Sequence, residues 1–172
     1  MNDCLTPLEP SEAEALRRFW SRLSLETRYR RFMIPLASLE ASHLERLLNV
    51  DHRDREAIVA AVDGEIVGMA SYARIESRRD VAELAVVVAD AWQRRRLATR
   101  LLSALSARAR RAGIARLEVV MQTDNGAALG LLRRLRPGAR LAFSQGVLSG
   151  TVSIEGNGET SGVPRSTPAW PS

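Results

Sequence analysis

The sequence contains no lysine: all 25 of its basic residues are arginine, set against 20 acidic residues for a formal charge of +5. Biased codon usage accounts for this; the functional alternative is a protein with no side-chain amine of its own to modify, and composition leaves both open. A single cysteine, Cys4, excludes an internal disulfide, and its place beside a terminus expected to be loose makes it an incidental thiol. The only histidines, His43 and His52, have no second thiol to join them, which argues against a clustered zinc site. No apolar run approaches the roughly 20 residues that a membrane-spanning helix needs. The opening residues, MNDCLTPLEP, lack the basic-then-apolar pattern of an export signal, so a soluble, cytoplasmic protein is expected. What is present is a chain of 172 residues, 45% hydrophobic, enough for one domain with a real core.

The hydrophobic period changes along the chain. Ser11 and Glu14 have the spacing of a capping box, and Ala15, Leu16, Phe19, Trp20 and Leu23 then recur every three to four residues, which predicts a helix with one buried stripe. A second helix is expected from Ser38, with Leu39, Leu44, Leu47 and Leu48 as its apolar set. From Glu56 the runs EAIVAAV and EIVGMASYARI flank Asp63-Gly64, a hairpin signal, and VAELAVVVA follows as a third strand over 81–89. Together they form an antiparallel meander. Leu97, Leu101, Leu102, Leu105, Ala109 and Ala112 then share one helical face, which Gly113 ends. IARLEVVM reads as a strand, TDNGAALGLLRRL as a cap and short helix, and ARLAF and GVLSGTVSI as two late strands around SQG. The expected fold is α/β: a mixed, mostly antiparallel sheet flanked by helices, with a strand-helix-strand crossover in its middle. One domain over 1–154 is expected, and the tail 155–172, rich in Gly, Ser, Thr and Pro, is expected to be disordered.

Three consecutive arginines, Arg94, Arg95 and Arg96, stand where the third strand runs into the long helix. A strand entering a helix through a tight loop presents several N–H groups to one point, the usual way a polypeptide holds a pyrophosphate. Taken alone the loop is a weak signal, because arginines at helix ends commonly face water.

The segment AELAVVVADAWQRRRLATRLL resembles the acetyl-CoA-binding motif of the GNAT N-acetyltransferase superfamily: a strand, then Gln or Arg, two variable residues, Gly, any residue, and Gly or Ala. The segment from Asn125 through Leu135 resembles the next motif, and RLSLETRYRRF and VDHRDREAIVAAVDGEIVGMASYARI are most similar to bacterial Pat-type protein lysine acetyltransferases. The resemblance implies acetyl-CoA as co-substrate and no metal. It implies that the main chain of Val86, Val87 and Val88 pairs with the pantetheine arm. Gln93, Arg94, Arg95, Arg96, Leu97, Ala98 and Thr99 correspond to the pyrophosphate loop, and Asn125 to a cofactor contact from the far side. Arg96 departs from the pattern, standing where the family has its first glycine. If the loop needs a positive φ at that position, an arginine there is strained.

The resemblance also implies Glu83 as general base. At the start of the apolar run LAVVVA, burial raises a carboxyl pKa and makes it a better proton acceptor. Without the resemblance, a strand-edge carboxylate paired with an arginine is the plainer reading. Many relatives supply a tyrosine seven residues beyond the motif asparagine; here Leu132 stands there, and the only tyrosines are Tyr29 and Tyr72. The expected function is transfer of an acetyl group to an amine. The favoured acceptor is a protein lysine, with a small-molecule amine or a degenerate coenzyme A-binding module as alternatives. Neither a membrane nor nucleic acid is expected as partner, since no RNA or DNA motif and no interleaved aromatics accompany the arginines.

Overall fold

The computed structural model describes residues 4–33 and 38–154, so the tail expected to be disordered lies outside the described residues. Seven strands form one sheet: β1 (Cys4–Pro7), β2 (Arg55–Val62), β3 (Glu65–Ile75), β4 (Arg78–Val88), β5 (Arg116–Gln122), β6 (Ala142–Ser144) and β7 (Val147–Ser153). Their order across the sheet is β1-β2-β3-β4-β5-β7-β6. Every neighbouring pair is antiparallel except β4 and β5, which are joined by the crossover helix. The mixed sheet, the meander and the central crossover are those expected.

The helices are α1 (Ala13–Ser21), α2 (Leu25–Phe32), α3 (Ala41–Leu48), α4 (Leu97–Arg111) and α5 (Gly126–Leu135). Strand alternation divides them into two layers. Ala57, Val59, Met69 and Val87 face α1 to α3 and pack with Leu16, Phe19, Trp20, Phe32 and Leu44. Ile58, Ala60, Ala70 and Val88 face the opposite way and pack with Leu97, Leu101, Leu105 and Ala109 of α4 and Leu132 of α5. Gly68 lets α4 settle onto the sheet, because a Cβ there would stand 3.1 Å from the Leu101 side chain.

Two local expectations are corrected, and one helix is added. Ser11 does not cap a helix; it lies inside a single 3₁₀ turn, Pro10–Glu12, where the Glu9 N–H donates to the Glu12 carboxylate at 2.8 Å. Cys4 is exposed and unpaired as a thiol, yet its backbone is held in β1 opposite Ala61. The α2 helix escapes the hydrophobic period because, of its residues, only Phe32 is buried; it is recognisable instead by its cap, Ser24, which accepts the Thr27 N–H at 3.1 Å. No helix among the described residues is long and apolar enough to cross a membrane.

Candidate active site

The parallel junction between β4 and β5 is short. Val81, Ala82 and Glu83 register with Arg116, Leu117 and Glu118, and there the pairing stops, although β4 runs on to Val88 and β5 to Gln122. The strands part, leaving 84–88 with β3 on one side and an open edge on the other. Backbone N–H and C=O groups on such an edge need partners, and an extended ligand can supply them.

A cleft of about 900 Å³ fills the gap. Its lining includes consecutive residues of both strands, Glu83 through Val86 and Leu117 through Met121. Consecutive strand residues point to opposite faces, so the cleft passes through the sheet rather than lying on it. Thr99 and Ser103 of α4 and Ala128 of α5 line it on one face; Arg30 and Arg31 of α2 line it too, the half-buried Arg31 with its pKa lowered to about 10 by desolvation and so still charged at neutral pH.

Of the residues expected in the site, Glu83, Val86, Thr99 and Asn125 line this cleft together. The side chains of Val87 and Val88 do not; they are buried in the two core layers, which leaves their backbone as the part available to a ligand. Asn125 caps α5, its Oδ1 accepting the Ala128 N–H at 3.1 Å and a second hydrogen bond from Arg30 Nη1 at 3.3 Å.

Of the loop 93–99, Thr99 lines the cleft, whereas Gln93, Arg94, Arg95, Arg96, Leu97 and Ala98 do not. The Gln93 side chain folds back, its Nε2 donating to the Val88 carbonyl at 3.2 Å, and so ties the loop to the end of β4. Arg94, Arg95 and Arg96 are exposed, and Arg95 lies over the Trp92 ring at 4.9 Å. Arg94 and Arg96 have φ of 60° and 61°. Arg96 therefore adopts a left-handed backbone of the kind that favours glycine, at a cost of about 1–2 kcal/mol. It is the N-cap of α4, accepting the Arg100 N–H at 3.2 Å, and no side chain caps the helix. The amides of Leu97, Ala98 and Thr99, which have no acceptor one turn back, are thus available at the positive end of a 15-residue helix. This is a cradle that fits a diphosphate.

Glu83 is half-buried. Burial raises its carboxyl pKa, the neighbouring Glu118 raises it further, and Arg78 and Arg55 oppose both. Glu118, which sequence reasoning did not single out, is 8% exposed and accepts from Arg78 Nη2 at 2.9 Å. Its signal was present in the sequence as a carboxylate interrupting the apolar strand RLEVVM. Tyr72 lies in the core, 3% exposed, its hydroxyl donating to the Arg53 carbonyl; burial pushes its pKa up to about 12. Leu132 is buried beside the cleft. The described residues hold no group of three or more potential metal ligands.

Comparison with known proteins agrees with this architecture. Residues 14–136 match the Acetyltransferase (GNAT) family. An acetyltransferase of Pseudomonas aeruginosa is 33% identical over 127 residues, covering 72% of this chain and 68% of the relative. The acetyltransferase Pat of Mycolicibacterium smegmatis is 31% identical over 133 residues, covering 76% of this chain but only 40% of that longer protein. Among solved structures, the GNAT domain of S. lividans PAT superposes with a TM-score of 0.80 at 29% identity, covering 87% of this chain and 89% of that one. The chain thus belongs to the Acetyltransferase (GNAT) family, whose acetyl donor is acetyl-CoA.

Proposed function

We propose that this acetyltransferase acts on primary amines, with a protein lysine side chain as the favoured acceptor, and that Glu83 is its general base. The observation that carries the reading is the cleft through the sheet. It reaches Thr99, in the first turn of α4, on one side and a half-buried carboxylate at the strand junction on the other. Donor and acceptor can therefore approach the same point from opposite faces.

In this reading the amides of Leu97, Ala98 and Thr99, with Gln93 and the flanking Arg94, Arg95 and Arg96, hold the diphosphate. The open edge of Val86, Val87 and Val88 pairs with the pantetheine arm, and Asn125 closes the site from α5. Bound acetyl-CoA supplies the acetyl group as a thioester. The chain's own task is the proton, because a lysine ammonium with a pKa near 10.4 must be deprotonated, at a cost of about 4.6 kcal/mol at pH 7. A carboxylate with raised proton affinity takes that proton better than an ordinary one, directly or through a water. No tyrosine lines the cleft to protonate the departing thiolate. A thiol with pKa near 8.5 leaves readily without one.

The similarity to Pat-named proteins supports the lysine acceptor. Transfer of labelled acetyl from acetyl-CoA to a lysine-rich lysate tests it, alongside a thermal shift with acetyl-CoA. Labelled protein is the expected result. Label confined to small molecules would move the acceptor to small amines, and a thermal shift without any transfer would leave a coenzyme A-binding module.

A further inference from the structure

The sheet carries an unusual polar row. Arg55 registers with Ala73, Ala73 with Glu83, Glu83 with Glu118, and Glu118 with Thr151, so the five lie side by side across β2, β3, β4, β5 and β7 on one face. Neighbouring strands lie about 4.7–4.9 Å apart, so registered side chains on one face stand next to one another. Glu83 and Glu118 are the last such pair before β4 and β5 separate, and both line the cleft. Two carboxylates facing one another in a part-buried place is an arrangement that costs free energy unless something uses it.

Another buried carboxylate in the chain shows what a structural role looks like. Glu56, 1% exposed, is satisfied from three directions: His52 Nδ1 at 2.9 Å, Arg108 Nη1 at 2.9 Å and the Ala57 N–H at 3.0 Å. Glu118 has one hydrogen-bond partner among the described residues, Arg78, and its neighbour in the row is a like charge.

We propose that Glu118 and Arg78 are positioning residues that tune the Glu83 base, Glu118 strengthening it as a proton acceptor and Arg78 tempering it. The proposal rests on the reading of Glu83 as base. The remaining charged groups on the cleft walls are all cationic. They are Arg30 and Arg31 from α2, Arg110 from α4, Arg116 from β5 and Arg136 beyond α5, with Arg55 at the head of the row. Arg116 is neutralised by Asp80 at 2.7 Å, and Arg30 by Glu26 at 2.5 Å. Arg78 and Arg55 favour the charged form of Glu83. Among the described residues that line the cleft, Glu118 is the one charged group that opposes them, so removing it leaves burial alone to do so.

The two members of the pair act with opposite sign, and this gives a test that structural damage does not imitate. Glu118→Gln keeps the shape and the hydrogen bond to Arg78 while deleting the like charge. Arg78→Gln deletes the cation and leaves the two carboxylates to share a proton, so that apparent values then belong to the pair. The Glu83 carboxyl is titrated by carboxyl-carbon NMR in the full chain, and the acid limb of kcat/KM is measured on the same variants. Glu118→Gln is expected to move both midpoints down by about half a pH unit or more, and Arg78→Gln to move both up. Midpoints that stay in place, or that move the same way in both variants, overturn the tuning role while leaving Glu83 as base. Full activity in Glu83→Gln overturns the base itself, and the proposal with it.

Discussion

The two ends of the cleft hold charge in opposite ways. At the start of α4, Arg94, Arg95 and Arg96 are exposed, and what converges there is main chain: a left-handed residue and the free amides of a helix. At the β4–β5 junction the charges are carboxylates, half-buried in Glu83 and 8% exposed in Glu118. Water screens the first set and is largely excluded from the second. Backbone recognition tolerates a changed side chain provided the backbone angles survive, which is why an arginine can stand in a glycine's place. A buried carboxylate tolerates no such change, because its proton affinity is set by what surrounds it. Substitutions at the junction should therefore act on rate, and substitutions in the loop on affinity and stability.

The largest effect is expected from Glu83→Gln. Loss of the base should lower transfer at least about 100-fold while the acetyl-CoA thermal shift persists, as read by a labelled-acetyl assay and a melting curve. The pH dependence has a definite sign. As the proposed base, Glu83 would work only when deprotonated, so activity should rise with pH through a midpoint above the usual carboxylate value, since burial and Glu118 raise it. A group whose folded pKa is raised contributes stability below its unfolded pKa and loses it as pH rises through the folded one. At neutral pH Glu83 thus opposes folding, and Glu83→Gln should melt no lower than wild type even as activity disappears.

Asp90 sharpens the comparison from the other side, because it is a carboxylate whose surroundings stabilise its charge. Partial burial pulls its carboxyl up, but hydrogen bonds from the Ser24 N–H at 3.0 Å, the Ser24 hydroxyl at 2.8 Å and the Thr27 hydroxyl at 2.8 Å outweigh that and hold it low. These bonds pin the start of α2 to the end of β4. Asp90→Ala should cost about 1 kcal/mol near neutral pH, roughly 2–4 °C in Tm. The sign is the reverse of that for Glu83: the contribution is present above the unfolded pKa and lost as pH falls through the lowered folded one. The two melting curves should accordingly converge in acid.

The legibility of the sequence follows the same division. The meander was readable because strands covered on both faces read as continuous apolar runs, and the crossover helix because it buries one face at a fixed period; β3 begins and ends where its apolar run does. The helix α2 was not, since of its residues Phe32 alone is buried and its other work is polar: capping, a link to Asp90 and Arg30 on Asn125. In the candidate site, Glu83 and the loop were singled out through a motif. The place of Glu118 beside Glu83 was not legible, because it depends on register between strands far apart in sequence, which no local pattern encodes. Arg96 was legible as a departure, but only its φ of 61° shows that arginine accepts the glycine conformation.

That conformation carries its own prediction. Arg96→Gly should relieve the left-handed strain at some cost in unfolded-chain entropy, a net gain of about 0.5–1 kcal/mol and roughly 2–3 °C in Tm. Acetyl-CoA affinity should fall no more than a few-fold, because the amides of 97–99 remain. A tenfold or larger loss would mean that the arginine side chain, and not the main chain, supplies the binding.

The smallest effect is expected at Arg95. Its guanidinium already rests on the Trp92 ring at 4.9 Å, so it is partly pre-placed beside the helix start, yet it is exposed. An exposed charge near an anion contributes a few tenths to about 1 kcal/mol, and salt screens it. Arg95→Gln should thus raise the Kd for acetyl-CoA about two- to five-fold at low ionic strength, with the difference shrinking as salt is added while kcat stays unchanged. Glu83→Gln should lose activity equally at any salt concentration. If the loss in Arg95→Gln instead proved insensitive to salt, or appeared in kcat, the loop would be working through a desolvated side chain, and the contrast between a solvated, backbone-built end and a buried, side-chain-built end would fail.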